Sequence, residues 1–263
     1  MEFELDGVSV MRDGNWILKD INFGGSSGEH WVILGPNGAG KTTLISLIAG
    51  RNYPTRGSVR ILGEKLGKTE VADLHLQVGL SSSVLERIID PQQRVSDVVL
   101  SAAYGTTRVV IRQIYEDQDR QRARDLMHLF SVDGLQNRPI VSLSDGERQR
   151  VMICRALMSD PEILILDEPA AGVDMGAREL LMQALDELAS DPRSPILLLV
   201  THHVEEIPSR FTHALLLKQG RIIHAGVISD VLTAQNLSET FDMPLQSGRF
   251  PSGRWWAQAE RAI

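Results

Sequence analysis

The apolar run WVIL (residues 31–34) is followed at once by GPNGAGKT (residues 35–42) and then by a helical pattern. The octapeptide fits G-x-x-x-x-G-K-[ST] in full, with a strand before it and a helix after it, the context in which the pattern carries a physical meaning. Glycines let successive backbone N–H groups turn inward around an anion. The helix start adds its dipole and its unpaired donors. This reading assigns Gly35, Pro36, Asn37, Gly38, Ala39, Gly40, Lys41, Thr42 and Thr43 to a phosphate cradle. Lys41 reaches the outer phosphates, and Thr42 is placed to bind Mg²⁺. The competing interpretation is a glycine-rich turn that only caps a helix.

A loop of this kind needs a buried sheet behind it. Two further runs, ILIL (residues 163–166) and ILLLV (residues 196–200), supply strands, and Leu180, Leu181, Ala184, Leu185 and Leu188 mark a helix between them. Strand, helix, strand with continuous apolar runs predicts a parallel sheet with right-handed crossovers. The opening (residues 2–23) alternates loosely around the turn-like RDGN (residues 12–15) and reads as antiparallel strands. GSVRILG (residues 57–63) reads as one more strand, and residues 84–160 read as mostly helical. There Ala123, Leu126, Met127 and Phe130 recur at helical spacing, while EDQDRQRARD (residues 116–125) is a solvated helix face. HALLLKQGRIIHAG (residues 213–226) reads as a hairpin turning at Gln219–Gly220, and FPSGRWWAQA (residues 250–259) as a small final hairpin.

Composition narrows the setting. At 263 residues and 43% hydrophobic, the chain can bury a large core. A formal net charge of -7 argues against a nucleic-acid surface, so no nucleic-acid partner is expected. The single cysteine, Cys154, precludes an intrachain disulfide, fits a reducing compartment and sits in an apolar helical stretch as a core residue. The start shows no basic region followed by an apolar run, and the longest apolar stretches are strand-sized. A membrane role therefore calls for a partner.

Three more stretches carry chemistry. ILILDEP (residues 163–169) ends a buried strand in two carboxylates, and ligands of open parallel sheets sit at the carboxyl ends of strands. Asp167 is then placed in a Mg²⁺ shell and Glu168 beside the attacking water; alone, the pair would read as acids facing solvent. LVTHH (residues 199–203) ends the next strand, and His202, first after Thr201, is the better placed histidine for a γ-phosphate contact. LSDGERQR (residues 143–150) is a second glycine-bearing helix start, in which Ser144 and Glu147 form a capping box.

Together these segments resemble the nucleotide-binding subunit of the ABC ATPase family, in order, over roughly the first 230 residues. GPNGAGKTT is similar to the Walker A loop, LSDGE to the family signature, ILILDEP to the Walker B strand, AGVD (residues 171–174) to the D-loop, and His202 to the switch histidine. The resemblance implies an α/β fold: a P-loop NTPase with a RecA-like parallel-sheet core, an N-terminal antiparallel β subdomain and an inserted α-helical subdomain at about residues 84–160. It places the ATPase domain at residues 1–234 and a short C-terminal extension at residues 235–263. It implies ATP and Mg²⁺ as cofactors, and ATP hydrolysis by Glu168 with His202. It implies a second ATPase subunit, a homodimer formed on ATP binding, in which Ser144 and Gly146 reach the γ-phosphate held by the other copy. It also implies an integral membrane permease and a peripheral position at the cytoplasmic face of the membrane.

The chain departs from the family pattern in three places. Asp145 stands where a small residue is usual. Ser83 falls about where the family has a glutamine that contacts Mg²⁺ and water; a serine is shorter, which makes a bridging water the natural substitute. Arg12, with Trp16 nearby, falls about where an aromatic stacks under the adenine, and either side chain can stack on a base. THHVEEIP (residues 201–208), the serine loop and GRWWA (residues 253–257) look like molybdenum- or iron-type import ATPases and their soluble relatives. The leading expectation is an ATPase that powers a transporter, with a soluble ATPase of the same family acting on a protein assembly or in regulation as the alternative. A nucleotide-binding module without hydrolysis would lack Lys41 or Glu168, and a DNA-repair ATPase of this fold would carry a long heptad insertion; neither description fits.

Overall fold

The computed structural model describes residues 1–68, 71–109 and 113–260; the side chains of residues 71–73 and 83–84 also lie outside the described part. β1 (Phe3–Arg12) and β2 (Asn15–Gly25) pair antiparallel and turn at Asp13–Gly14. After β3 (Trp31–Leu34) and α1 (Lys41–Ile48), the chain adds β4 (Arg56–Ile61) and the two-residue β5 (Glu64–Lys65). The first sheet runs β2-β1-β4-β5, antiparallel throughout.

α2 (Val71–Gln77), β6 (Val78–Ser81) and α3 (Ser83–Glu86) lead into α4 (Val95–Ser101), α5 (Asp117–Leu129) and α6 (Asp145–Leu157). Helix covers the middle of the chain only in part. Pro91 and Pro139 interrupt it, as proline does within helices, and the loops they start are tied together by Ile140 N–H to the Gln93 carbonyl and Val95 N–H to the Arg138 carbonyl. On α5 the expected stripe of Ala123, Leu126 and Met127 is buried, with Phe130 just beyond it.

β7 (Ile163–Asp167), α7 (Met175–Ser190), β8 (Ile196–Thr201) and the hairpin β9 (His213–Lys218) and β10 (Arg221–Val227) complete the second sheet, ordered β10-β9-β3-β8-β7-β6. β6, β7, β8, β3 and β9 run parallel, and β10 is an antiparallel edge. On α7 the buried stripe is Leu181, Met182, Ala184 and Leu185; Leu180 points out instead. α8 (Ile228–Val231) and α9 (Ala234–Phe241) precede a last hairpin of β11 (Leu245–Arg249) and β12 (Trp255–Ala259). This hairpin begins earlier than the sequence suggested, because FPSGR (residues 250–254) is its turn and not its first strand.

The parallel sheet is buried on both faces, and strict alternation divides its side chains between two cores. Val32, Leu34, Leu164, Leu166, Leu197 and Leu199 face a core shared with α4 to α7, α9 and Trp255. Ile33, Ile163, Ile165, Ile196, Leu198 and Val200 face a second core shared with α1 and the antiparallel sheet. Three strands thereby end at one rim of the sheet: β3 delivers the glycine loop, β7 the two acids and β8 the histidines. Among the described residues no helix is long and apolar enough to cross a membrane.

Candidate nucleotide site

The glycine loop closes on α1 through Gly40, which caps the helix at φ 107 and offers no side chain to its first donors. A Cβ at Gly40 would lie 2.8 Å from Leu18 Cδ2 and 3.1 Å from the Ile17 carbonyl oxygen, in a backbone region L-residues avoid. The helix start is therefore uncapped and its N–H groups stay open to an anion. A cavity of about 300 Å³ lies over it, lined by residues 37–43 with Ile17 and Glu168. Lys41 is buried, and its ammonium donates to the Gly35 carbonyl at 2.8 Å and to the Pro36 carbonyl at 3.2 Å. Burial lowers the Lys41 pKa, while Glu168 and Asp167 act to raise it.

Asp167 ends β7 facing α1. Burial, reinforced by the Glu168 charge, holds its carboxyl above the usual aspartate range; Lys41 and a hydrogen bond with the Thr42 side chain oppose that shift. Thr42 and Asp167 thus present two hard oxygens side by side. That is the donor set suited to a divalent cation that keeps the rest of its shell in water and phosphate oxygens. Among the described residues no cluster of three or more His, Cys, Asp or Glu is placed to hold a metal ion.

Glu168 turns sharply out of the strand at φ 50, a left-handed conformation that costs a non-glycine residue about 1 kcal/mol or more. The bonds from its N–H to the Val200 carbonyl and from Ala171 N–H to its own carbonyl hold it there. His202 brings Nδ1 to 3.4 Å from Glu168 Oε1, outside hydrogen-bond geometry, with each side chain 35% exposed. The two share a second cavity of about 300 Å³ with residues 170–173, Arg178, His203 and Glu206. Glu206 is buried; its carboxylate accepts the Thr201 hydroxyl, and Thr201 Oγ1 accepts the His203 N–H at 3.1 Å. A carboxylate beside an imidazole, at the rim that also holds the glycine loop and the Thr42–Asp167 oxygens, has the chemistry to polarise a water molecule.

The second helix start is built differently. Ser144 caps α6: Glu147 N–H donates to Ser144 Oγ at 3.3 Å, and Ser144 N–H donates to the Glu147 carboxylate at 2.8 Å. Asp145 is exposed and paired with Arg148 at 3.2 Å, which offsets the charge that replaces the usual small residue. Gly146 is buried: a Cβ there would lie 2.8 Å from Ala177 Cβ and 3.1 Å from Val173 Cγ1. The glycine therefore lets α6 approach the start of α7, a packing role beyond the one read from the sequence. Neither Ser144 nor Gly146 lines the cavity over Lys41.

Other predicted positions lie farther out. Arg12 sits exposed at the end of the β1–β2 hairpin, paired in register with Asn15. Trp16 carries the Arg56 guanidinium 5.0 Å over its ring. Its neighbour Ile17, which sequence reasoning passed over, is the β2 residue that lines the cavity. Ser83 opens α3, and its side chain lies outside the described residues. Ser82, one residue earlier, lines a cavity of about 180 Å³ with Thr42, Arg51, Leu85 and Asp167. Glu206 was also missed; an acid four residues after His202 carries no signal until the fold shows it buried.

Known proteins resemble this chain in sequence and in fold. The family profile described as ABC transporter matches residues 18–171. An uncharacterized ABC transporter ATP-binding protein, YlmA of Bacillus subtilis (strain 168), is 41% identical over 246 residues, which cover 93% of this chain and 92% of that protein. The sulfate/thiosulfate import ATP-binding protein CysA of Mesorhizobium japonicum is 31% identical over 94% of this chain and 70% of its own length. Among solved structures, cbiO1 from Clostridium perfringens, part of the ABC transporter complex cbiONQ, superposes with a TM-score of 0.76 at 27% identity, over 90% of this chain and 93% of that one. The chain belongs to the ABC transporter family, as an ATP-binding, ATP-hydrolysing subunit.

Proposed function

We propose that the chain powers an importer as one of two ATPase subunits bound to an integral membrane permease, at the cytoplasmic face of the membrane. Residues 35–43 hold the phosphates, with Lys41 leaving its loop carbonyls for the outer oxygens. Thr42 and Asp167 hold Mg²⁺, which supplies charge neutralisation on the phosphates. Glu168 takes the proton of the attacking water, and His202 contacts the γ-phosphate. The adenosine end extends along β2 past Ile17 toward Trp16 and Arg12. Ser82, with Ser83 after it, stands on the cation side, where water bridges the remaining distance. The catalytic domain spans residues 1–234, with the helical insertion at about 84–160, and residues 235–263 are an extension. Importers among the relatives, CysA included, support the direction of transport.

One observation carries this reading: Lys41, Thr42, Asp167, Glu168 and His202 lie along one rim, with Asp167 beside Thr42 and His202 sharing a second cavity with Glu168, while the Ser144–Gly146 helix start lies outside the cavity that Lys41, Thr42 and Glu168 line. A second copy would bring its own Ser144 and Gly146 to the open side of that cavity. The test is Glu168→Gln with ATP and Mg²⁺. Turnover should fall at least about 100-fold, the lower end of what a general base contributes, and size-exclusion with light scattering should show an ATP-bound dimer. Wild-type hydrolysis in this variant would remove Glu168 as the base. A monomer under all nucleotide conditions would remove the two-copy site.

A further inference from the structure

The C-terminal hairpin ends against the loop that carries His202. Trp255, at the start of β12, is buried in the same core as Val204, Ile207 and Phe211. The end of β11 and the turn that follows it present two arginines to the rest of the chain. Arg249 stacks over Trp255 with its Cζ 5.6 Å from the ring, and donates to the Gly253 carbonyl at 2.8 Å and to the Ser209 carbonyl at 3.2 Å. Arg254 reaches further. One of its nitrogens pairs with the Glu179 carboxylate on α7 at 3.0 Å, and another donates to the Glu205 carbonyl. Its side chain is only 19% exposed, while the Glu179 side chain it meets is 46% exposed.

Each of those partners adjoins the cavity that Glu168 and His202 share. Glu205 precedes Glu206, whose carboxylate accepts the Thr201 hydroxyl; the same hydroxyl oxygen receives the His203 N–H, and His202 sits between those two residues. Glu179 lies one turn into α7, the helix whose start is capped by Asp174 and follows residues 170–173 on the cavity wall. The far end of the loop is fixed separately, by Ser209 Oγ and Arg210 N–H on the Asp186 carboxylate of α7. Remove Arg254 and the loop keeps its end at 209–210 but loses its tie at Glu205.

We propose that Arg254 is a positioning residue: the hairpin is a strap that sets His202 against Glu168 by clamping the Glu205 carbonyl to α7 through Glu179. The guanidinium suits the task because its planar fork donates to two acceptors at once, which an ammonium does only with less geometric control. Small displacements of a reacting group cost large factors in rate, so a residue outside the cavity can govern turnover without touching nucleotide. The proposal rests on the role given above to His202, and the experiment separates the two.

Arg254→Ala should lower kcat for ATP hydrolysis roughly tenfold, with KM and the binding of a non-hydrolysable ATP analogue unchanged. Amide hydrogen exchange should quicken at residues 204–207 while β3 and β7 stay protected, which also verifies the fold. Arg254→Lys should fall between the two, since it keeps the charge and one contact. In a His202→Ala background, Arg254→Ala should cause no further loss. An impaired His202→Ala beside a wild-type kcat in Arg254→Ala overturns the strap alone. An equal loss from Arg254→Ala with and without His202 also overturns it, because the residue then acts elsewhere. A His202→Ala variant with full activity removes the role of His202 and the strap with it.

Discussion

The chain owns two glycine-bearing helix starts, and they are finished in opposite ways. At α1 the cap is Gly40, with no side chain to satisfy the first donors, and the nearest cation, Lys41, is buried against loop carbonyls. At α6 the cap is Ser144, closed reciprocally by Glu147, and the nearest cation, Arg148, is spent on Asp145 and Glu86. The first glycine is required by a left-handed backbone, the second by the approach of Ala177 and Val173. An open start binds an anion unaided. A capped start already has its donors used, and what it can still offer is the Ser144 hydroxyl proton and whatever donors the box leaves exposed. In the proposed two-copy site, the affinity for nucleotide comes from the open start and the dependence on a partner from the capped one.

The harshest way to break that comparison is at α1. Lys41→Ala removes the one cation whose ammonium lies inside the loop, and hydrolysis should fall by at least about two orders of magnitude, in line with a lost charge-assisted contact in a water-poor site. Binding of a fluorescent ATP analogue should weaken in parallel. Retained affinity with lost turnover would mean that the loop backbone alone holds the nucleotide and that Lys41 acts only in the transition state.

At α6 a pair of variants sharpens it. Ser144→Ala and Glu147→Ala each break the capping box, and each should cost about 1 kcal/mol of stability, read as a lower melting temperature. Only Ser144→Ala removes the hydroxyl that the proposed two-copy site uses, so only it should also lower turnover, by about tenfold, the scale of one hydrogen bond to a charged group. Equal turnover in the two variants would reduce this helix start to a structural cap. Gly146 is a poor place for the same test, since any side chain there collides with α7 before function is reached.

The two starts also differ in how readable they were. The loop at α1 was legible residue by residue, because its pattern encodes a backbone path and the strands around it are continuous apolar runs. The alternation that sends Ile163 and Ile165 to one core and Leu164 and Leu166 to the other was implicit in the same runs. The packing role of Gly146 was not, since it depends on α7 arriving from thirty residues later in the chain. Ile17, Ser82 and Glu206 were hidden for the same reason: each is ordinary in sequence and matters through a neighbour brought by tertiary packing. The last hairpin was placed late because its first strand, LQSGR (residues 245–249), has almost no apolar signal, and Trp255 and Trp256 drew the reading toward the second strand alone.

The smallest effect is expected at Asp167, where the open start meets the acids of β7. Its carboxyl lies above the ordinary aspartate range because it is buried beside Glu168, with Lys41 and Thr42 offsetting only part of that shift. The folded chain therefore holds this proton more tightly than the unfolded one. The stabilising term is fully present below the unfolded pKa, near 3.9, and is lost as pH rises through the raised folded value. A cation at Thr42 and Asp167 competes with the same proton. The Mg²⁺ concentration for half-maximal hydrolysis should therefore climb on acidification while pH is still above the usual aspartate range. Magnesium titrations of ATPase rate at closely spaced pH values would show this onset. A midpoint that stays flat until the ordinary range is reached would mean that Lys41 and Thr42 fully compensate the burial, and that the acid end of the open start is as relaxed as a surface carboxylate.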